Sequence, residues 1–282
     1  MAAEPLVRNV SDTARWVAVY RALESARPDA LFNDPYADRL AGERGHAIAA
    51  RVPRQARSGW PMVMRTKLMD DLIVASVADG CERVLNLAAG FDTRPYRMTL
   101  PESLEWVEAD LAPMIDEKEK LLEKEKPRCR LRRERIDLGD AAARGDFLRR
   151  ETSGVNKALV VTEGLLVYLD DEEVRTLGRE LASPPGIRWW ITDVASPAIR
   201  QMLSRGMGAD LDNAPMKFAP PDGVAFFERL GWSATDIRSM YREAVRHRRV
   251  PALLRIFAFL PEPDPRKPGS KPWSAVVRLT RG

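Results

Sequence analysis

The sequence predicts an α/β fold: a doubly wound, mostly parallel sheet with helices ahead of it and a helical insertion late in the chain. Three observations predict it. After residue 80, short apolar runs alternate with helical patterns, the mark of repeated strand–helix–strand units. The run KALVVT at 157–162 is apolar without alternation, as suits a strand covered on both faces. The run VLNLAA at 84–89 passes directly into Gly90, a small-residue turn of the kind that joins strand to helix at the carboxyl edge of such a sheet.

The elements follow in chain order. Ser11 is placed to cap DTARWVAVYRALES, with Trp16, Val17, Tyr20 and Leu23 on one face. Pro28, Pro35 and Gly42 punctuate the turn that follows. Residues 61–80 form a helix with Pro61 at its start and Gly80 past its end. Strands are expected at 84–89, at 104–110 (LEWVEAD) and at 131–138 (LRRERIDL), with helices from Pro113 to about Lys126 and near 140–150. The buried strand at 157–162 leads to a helix from about Asp171 to Ala182. Next comes the strand IRWWITDV at 187–194, where at least one of Trp189 and Trp190 belongs to the core. From 197 to 230 the pattern is mixed, with Pro215, Pro220 and Pro221, and reads as an insertion or lid. WSAVVRLT at 273–280 reads as a last strand. One domain thus comprises a helical cap over 1–80, a βαβ core over 81–195, a lid region over 196–250 and C-terminal strands over 251–282.

Composition narrows the function. Of 282 residues 45% are hydrophobic and 30% charged, a globular profile. Forty-five Lys and Arg against forty-one Asp and Glu give +4, mild for a nucleic-acid binder. The densest basic stretch, RCRLRRER at 128–135, alternates like a strand with one solvated face and lacks interleaved aromatics. RHRR at 246–249 ends a helical pattern, where cations suit the helix dipole. MAAEPLVRN lacks the basic-then-apolar layout of a signal peptide. LLRIFAFL at 253–260 falls well short of the roughly 20 residues a membrane span needs. Cys81 and Cys129, two strands apart, lie too far from each other for a disulfide and are expected to be inert thiols. The expectation is a cytoplasmic protein acting on a small molecule, with no nucleic-acid or membrane partner and no metal; oligomeric state is left open.

The strand ends carry the chemistry. Asp110 lies 20 residues after Gly90 at the end of the next strand, where an acid pairs with ribose hydroxyls in nucleotide-binding α/β folds. The rival role for Asp110 is a helix cap ahead of Pro113. Asp137 ends the third strand and Glu163 follows LVVT. Small or acidic residues at four consecutive strand ends suit a nucleoside site at the switch point. No GxGxxG is present, which disfavours a nicotinamide-dependent oxidoreductase; a nonenzymatic cofactor-binding protein is the other alternative.

DTARWVAVYRALESARPDALFNDPYADRLAG, RTKLMDD, VLNLAAGFDTRPYR, WVEADLAPMIDEK, IDL and VVTEGLLVYLDDEEV together resemble the leucine carboxyl methyltransferase-like family, in its bacterial O-methyltransferase branch. The resemblance runs from about residue 9 to 245. It implies a class I, Rossmann-like fold with S-adenosylmethionine as cofactor. It also implies that Arg65 holds the cofactor carboxylate and Gly90 lines the methionine portion. Asp110 would take the ribose hydroxyls, Asp137 and Leu138 would bound the adenine, and Glu163 would sit beside the cofactor. Arg15 matches a basic position in the N-terminal helix. One departure is Ala88-Ala89-Gly90 where family members often have Gly-Ala-Gly.

The expected reaction is O-methylation, of a carboxyl or a hydroxyl, on a small molecule such as a polyketide-type acid. A carboxylate acceptor needs no base, whereas an alcohol or phenol must usually lose a proton. His46 and His247 are both expected at the surface, and no catalytic residue is assigned. Tyr20 and Tyr168 are candidates to face the acceptor. Arg15, Arg21, Arg200, Arg205 and Lys217 stand in the flanking regions and, with the resemblance to carboxyl methyltransferases, point to an anionic acceptor.

Overall fold

The computed structural model describes residues 10–51, 58–207 and 214–281. The first three elements are helices: α1 (Val10–Ser25), α2 (Ala37–Arg51), kinked at Gly42 (φ 58°), and α3 (Trp60–Ala78). The core then alternates β1 (Arg83–Leu87), α4 (Arg94–Arg97), β2 (Glu105–Asp110), α5 (Ala112–Leu121), β3 (Arg130–Arg135), α6 (Ala141–Thr152) and β4 (Ala158–Thr162). A 3₁₀ turn at Leu166–Tyr168 leads to α7 (Asp171–Ala182) and β5 (Ile187–Ala195). The rest comprises α8 (Pro197–Met207), α9 (Ala225–Glu228), β6 (Trp232–Ser239), α10 (Met240–Arg246), a 3₁₀ segment Ala252–Phe259 and β7 (Ser274–Arg281).

The sheet order is β3-β2-β1-β4-β5-β7-β6. β1 to β5 run parallel, and β7 lies antiparallel between β5 and β6. Chain order reverses between β1 and β4, which places the ligand crevice at their carboxyl ends. Alternate residues feed two apolar layers, because successive strand side chains point to opposite faces. Leu85, Val107, Val160 and Trp190 pack on one side, and Val84, Trp106, Leu159 and Ile191 pack against α3 on the other. β3 pairs only with β2, and its alternating Arg side chains face out, as an edge strand should.

The structure departs from the sequence reading in four places. Leu23 is 56% exposed, while Ala18, Arg21 and Glu24 on the same helix are buried. Polar contacts therefore choose the inward face there: Arg21 and Glu24 turn in to meet partners, and Leu23 is left outside. The strand Trp232–Ser239 lies inside the segment read as lid, so the described C-terminal region holds one strand instead of several. Its polar residues obscured it; Ser233, Thr235 and Arg238 are solvated at the sheet edge. The third strand stops at Arg135, two residues short of Asp137. Helix α1 begins at Val10, so Ser11 lies within it instead of capping it. Both tryptophans of β5 are buried, and both cysteines are buried and unpaired. Among the described residues no helix is long and apolar enough to cross a membrane.

Candidate cofactor site

Four parallel strands bring Ala88-Ala89-Gly90, Asp110, Asp137 and Glu163 to one edge of the sheet. The β1 turn is tied down at every amide. Ala88 N donates to Ala109 O at 2.8 Å, Ala89 N to the same carbonyl at 3.4 Å, and Gly90 N to Asp110 Oδ2 at 2.7 Å. These amides hold the turn to β2 instead of facing a ligand. Gly90, with φ 46°, contributes space: a Cβ there would come within 3.3 Å of the Ala14 methyl on α1. Ala88 takes a left-handed φ of 53°, a conformation that costs a non-glycine residue about 1–2 kcal/mol.

Asp110 accepts Gly90 N and, on its other oxygen, Leu111 N at 2.7 Å. Burial pushes its carboxyl upward against these two amides and Lys118. A carboxylate offers about four lone-pair sites, so each oxygen retains room for a hydroxyl. Asp137 is exposed in the turn after β3, with Oδ1 accepting Gly139 N at 2.8 Å. Leu138 packs at the margin of the main core.

Beneath these residues lies a buried ion cluster that the sequence reading missed. Arg65 Nε donates to Glu163 Oε1 at 3.1 Å, and its Nη1 lies 3.5 Å from Asp193 Oδ2. Arg94, 1% exposed, bridges Asp70 (2.6 Å), Asp92 (2.7 Å) and Glu163 (2.7 Å). Arg97 adds a second hold on Asp70 at 2.7 Å. Burial pushes Glu163 upward, but Arg94 and Arg65 outweigh it and hold the carboxyl below its ordinary range. The same holds for Asp92, where Arg94 and Lys118 prevail over burial. At Asp193 burial prevails over Arg65 and the Gly164 amide, so its carboxyl is pushed up. A signal existed: Asp92 and Arg94 follow shortly after the first apolar strand, and Asp193 is a charge inside the strand Ile187–Ala195.

Helix α1 roofs this edge. Its Thr13 hydrogen-bonds the Tyr168 hydroxyl, whose pKa burial raises. Arg15 pairs with Glu117 on α5 and lies over the Phe91 ring, 5.3 Å from its centroid. Arg21 donates to Phe91 O at 2.6 Å and to Asp34 at 2.8 Å. That makes Arg21 a buried strut, not part of a basic wall. Tyr20 is buried with Trp16, Ile48 and Val63, and Tyr168 packs against this aromatic group. Arg205 and Lys217 are exposed. Arg200 differs: its Nε is buried with no hydrogen-bond partner among the described residues, and its Nη1 reaches Met216 O at 3.5 Å. The following Lys217 N donates to Val167 O at 2.7 Å, so this arginine stands beside the Tyr168 turn. Both histidines sit toward the surface, with His46 on Asp38 and His247 near Glu243. Asp210 and Asp212 lie outside the described residues.

The residues present fit S-adenosylmethionine. A carboxylate with lone pairs to spare stands at the end of β2, Gly90 leaves space a Cβ would fill, and the Arg65 guanidinium meets Glu163 at the end of β4. Sheet order and strand-end acids define a class I methyltransferase fold. The leucine carboxyl methyltransferase profile matches residues 14–182, and the chain belongs to that family of S-adenosylmethionine-dependent enzymes. A Frankia alni protein named "Putative S-adenosyl-L-methionine-dependent methyltransferase" is 31% identical over 240 residues, 79% of this chain and 82% of its own. A Mycolicibacterium smegmatis protein of like name is 32% identical over 260 residues, covering 82% and 85%. Among solved structures, a DUF574 family protein from Streptomyces avermitilis superposes with TM-score 0.59 at 16% identity, covering 96% of this chain and 97% of that one. At that identity the likeness concerns the fold.

Proposed function

We propose that this chain transfers a methyl group from S-adenosylmethionine to an oxygen of a small acidic molecule, such as a natural-product acid. The carrying observation is Arg200, whose Nε is buried beside the Tyr168 turn with no partner among the described residues. Leaving a buried donor unmet costs about 1–3 kcal/mol, so an anionic group on the acceptor is its natural partner. In this reading Asp110 holds the ribose, Asp137 and Leu138 bound the adenine, and Arg65 meets the cofactor carboxylate. Arg15 closes over the slot with Glu117. Glu163 fixes the direction of the Arg65 guanidinium. The cofactor supplies a methyl group on a sulfonium, which leaves as a neutral thioether. The chain's own contribution is alignment and exclusion of water by the α1 roof. Tyr20 and Tyr168 supply the aromatic wall of the acceptor side.

Guanidinium partners hold Glu163 and Asp92 below the ordinary carboxylate range, which makes both weak bases and suits an acceptor that needs none. The test is a pH–rate profile with an acid acceptor: a rate flat from about pH 6 to 8 supports the carboxylate. A second reading rests on Asp193, whose raised pKa suits a general base for a hydroxyl acceptor. An acceptor hydroxyl that must lose its proton before the transfer gives instead a rate climbing about tenfold per pH unit in the same window, and such a climb overturns the first.

A further inference from the structure

Glu163 and Gly164 follow the fourth strand, and the glycine makes room for Arg65. Its backbone is left-handed, with φ 64°. Gly154, Gly231 and Gly269 are left-handed too, yet a Cβ at any of them would meet nothing within 4 Å. At Gly164 a Cβ would stand 2.9 Å from Arg65 Nη1, 3.3 Å from Cζ and 3.4 Å from Nη2. Non-bonded atoms settle at roughly 3.5–4.0 Å, so the guanidinium occupies the space that a side chain would take.

The backbone beside the guanidinium is fixed. Gly164 N donates to Asp193 Oδ1 at 2.7 Å, while Oδ2 of the same carboxylate lies 3.5 Å from Arg65 Nη1. Lys217 N holds the next turn through Val167 O at 2.7 Å. Arg65 reaches this spot as the end of a flexible side chain from α3, with Nε on Glu163 Oε1. A methyl at position 164 therefore moves the guanidinium and not the strand. We propose, resting on the reading in which Arg65 meets the cofactor carboxylate, that Gly164 is a positioning residue. Its bare Cα lets the Arg65 guanidinium settle between Glu163 and Asp193 in the direction that receives that carboxylate. A bidentate pair depends on direction, and a displacement of about 0.5 Å is enough to weaken it. The mark of such a role is a lost preference for ligands that carry the carboxylate, with the nucleoside contacts undisturbed.

Titration calorimetry with S-adenosylmethionine and with its decarboxylated form, which lacks that carboxylate, reads the difference directly. The wild type should prefer the carboxylate form by about tenfold or more, the scale of a charge-assisted hydrogen bond. Gly164→Ala should lower the preference to about twofold while the decarboxylated ligand binds as before. Gly164→Asn carries the same Cβ on a residue that tolerates left-handed backbone, and should do the same. Gly154→Ala, with similar backbone strain and no neighbour, should leave both affinities unchanged. In Arg65→Ala the preference should vanish. Adding Gly164→Ala to it should change nothing further, because the glycine acts through the arginine. A preference that survives in both Gly164 variants but not in Arg65→Ala overturns the proposal and leaves the Arg65 reading standing. A wild type without the preference, or a preference that survives Arg65→Ala, overturns both. Equal loss of the two ligands, or loss of the fold, in both Gly164 variants makes Gly164 a general structural residue and also overturns the proposal.

Discussion

Arg94 Nη1 and Glu163 Oε2 lie 2.7 Å apart, although one residue follows the first strand and the other follows the fourth. This pair stitches the two strands at which the sheet changes direction. The same guanidinium also holds Asp70 of α3 and Asp92 of the cofactor turn, so one side chain ties three segments together at the base of the site.

Removing that guanidinium should be severe. Arg94→Met leaves three buried carboxylates short of a counter-charge, a loss of about 3–5 kcal/mol for breaking a buried pair. Urea unfolding monitored by circular dichroism reads it directly. A loss under about 1 kcal/mol would mean that Arg97 and Arg65 carry the cluster alone.

Ala88→Gly should stabilise the protein. The substitution relieves a left-handed alanine, a gain of about 1 kcal/mol after the added freedom of the unfolded glycine is counted. The melting temperature should rise by about 2 °C in a chain of this length. An unchanged or lower melting point would show that the Ala88 methyl makes contacts that outweigh its backbone conformation.

Asp110→Ala should leave the fold intact and weaken S-adenosylmethionine binding by about 1.5–3 kcal/mol, the scale of hydrogen bonds to a charged group. Titration calorimetry on the folded variant measures it. For the unmodified protein the sign follows from the raised carboxyl. Ribose hydroxyls need the ionised form, so affinity should fall as pH drops, beginning above the ordinary value of 3.8. Arg65→Lys keeps the charge but loses the planar fork, and should also bind cofactor more weakly.

The two thiols should resist modification until the protein unfolds. Burial pushes Cys81 up to about 12 and Cys129 to about 11. Unfolded thiols ionise from near 9.0 while the folded ones stay protonated, so the native state binds more protons above that pH. Their contribution to stability therefore falls as pH rises past 9.0 toward the folded values. Rapid labelling by a disulfide reagent at pH 8 under native conditions would contradict this.

Much of the fold was legible in the sequence because the parallel strands announce themselves by composition: KALVVT and IRWWITDV each carry an unbroken apolar run at their centre, LVV and WWI. β6 was not legible, since a strand at the sheet edge is free to carry Ser233, Thr235 and Arg238. Asp110, Glu163 and Gly90 could be placed at strand ends from spacing alone. The salt-bridge cluster could not, because Asp70, Arg94 and Asp193 come from three distant segments and meet only through the sheet order. Arg21 misled for a related reason: a charged residue on an amphipathic helix reads as solvated, yet its partners Asp34 and Phe91 O lie within the body of the protein.

Strand β7 joins β5 to β6, although β6 precedes it in the chain. Until residues 274–281 arrive, the 232–239 segment has no neighbour to bond with, and β5 presents a bare row of amides and carbonyls. Those edges are open templates for pairing with other chains. Synthesis on the ribosome therefore passes through an interval in which most of the domain can be assembled and its sheet still has a gap.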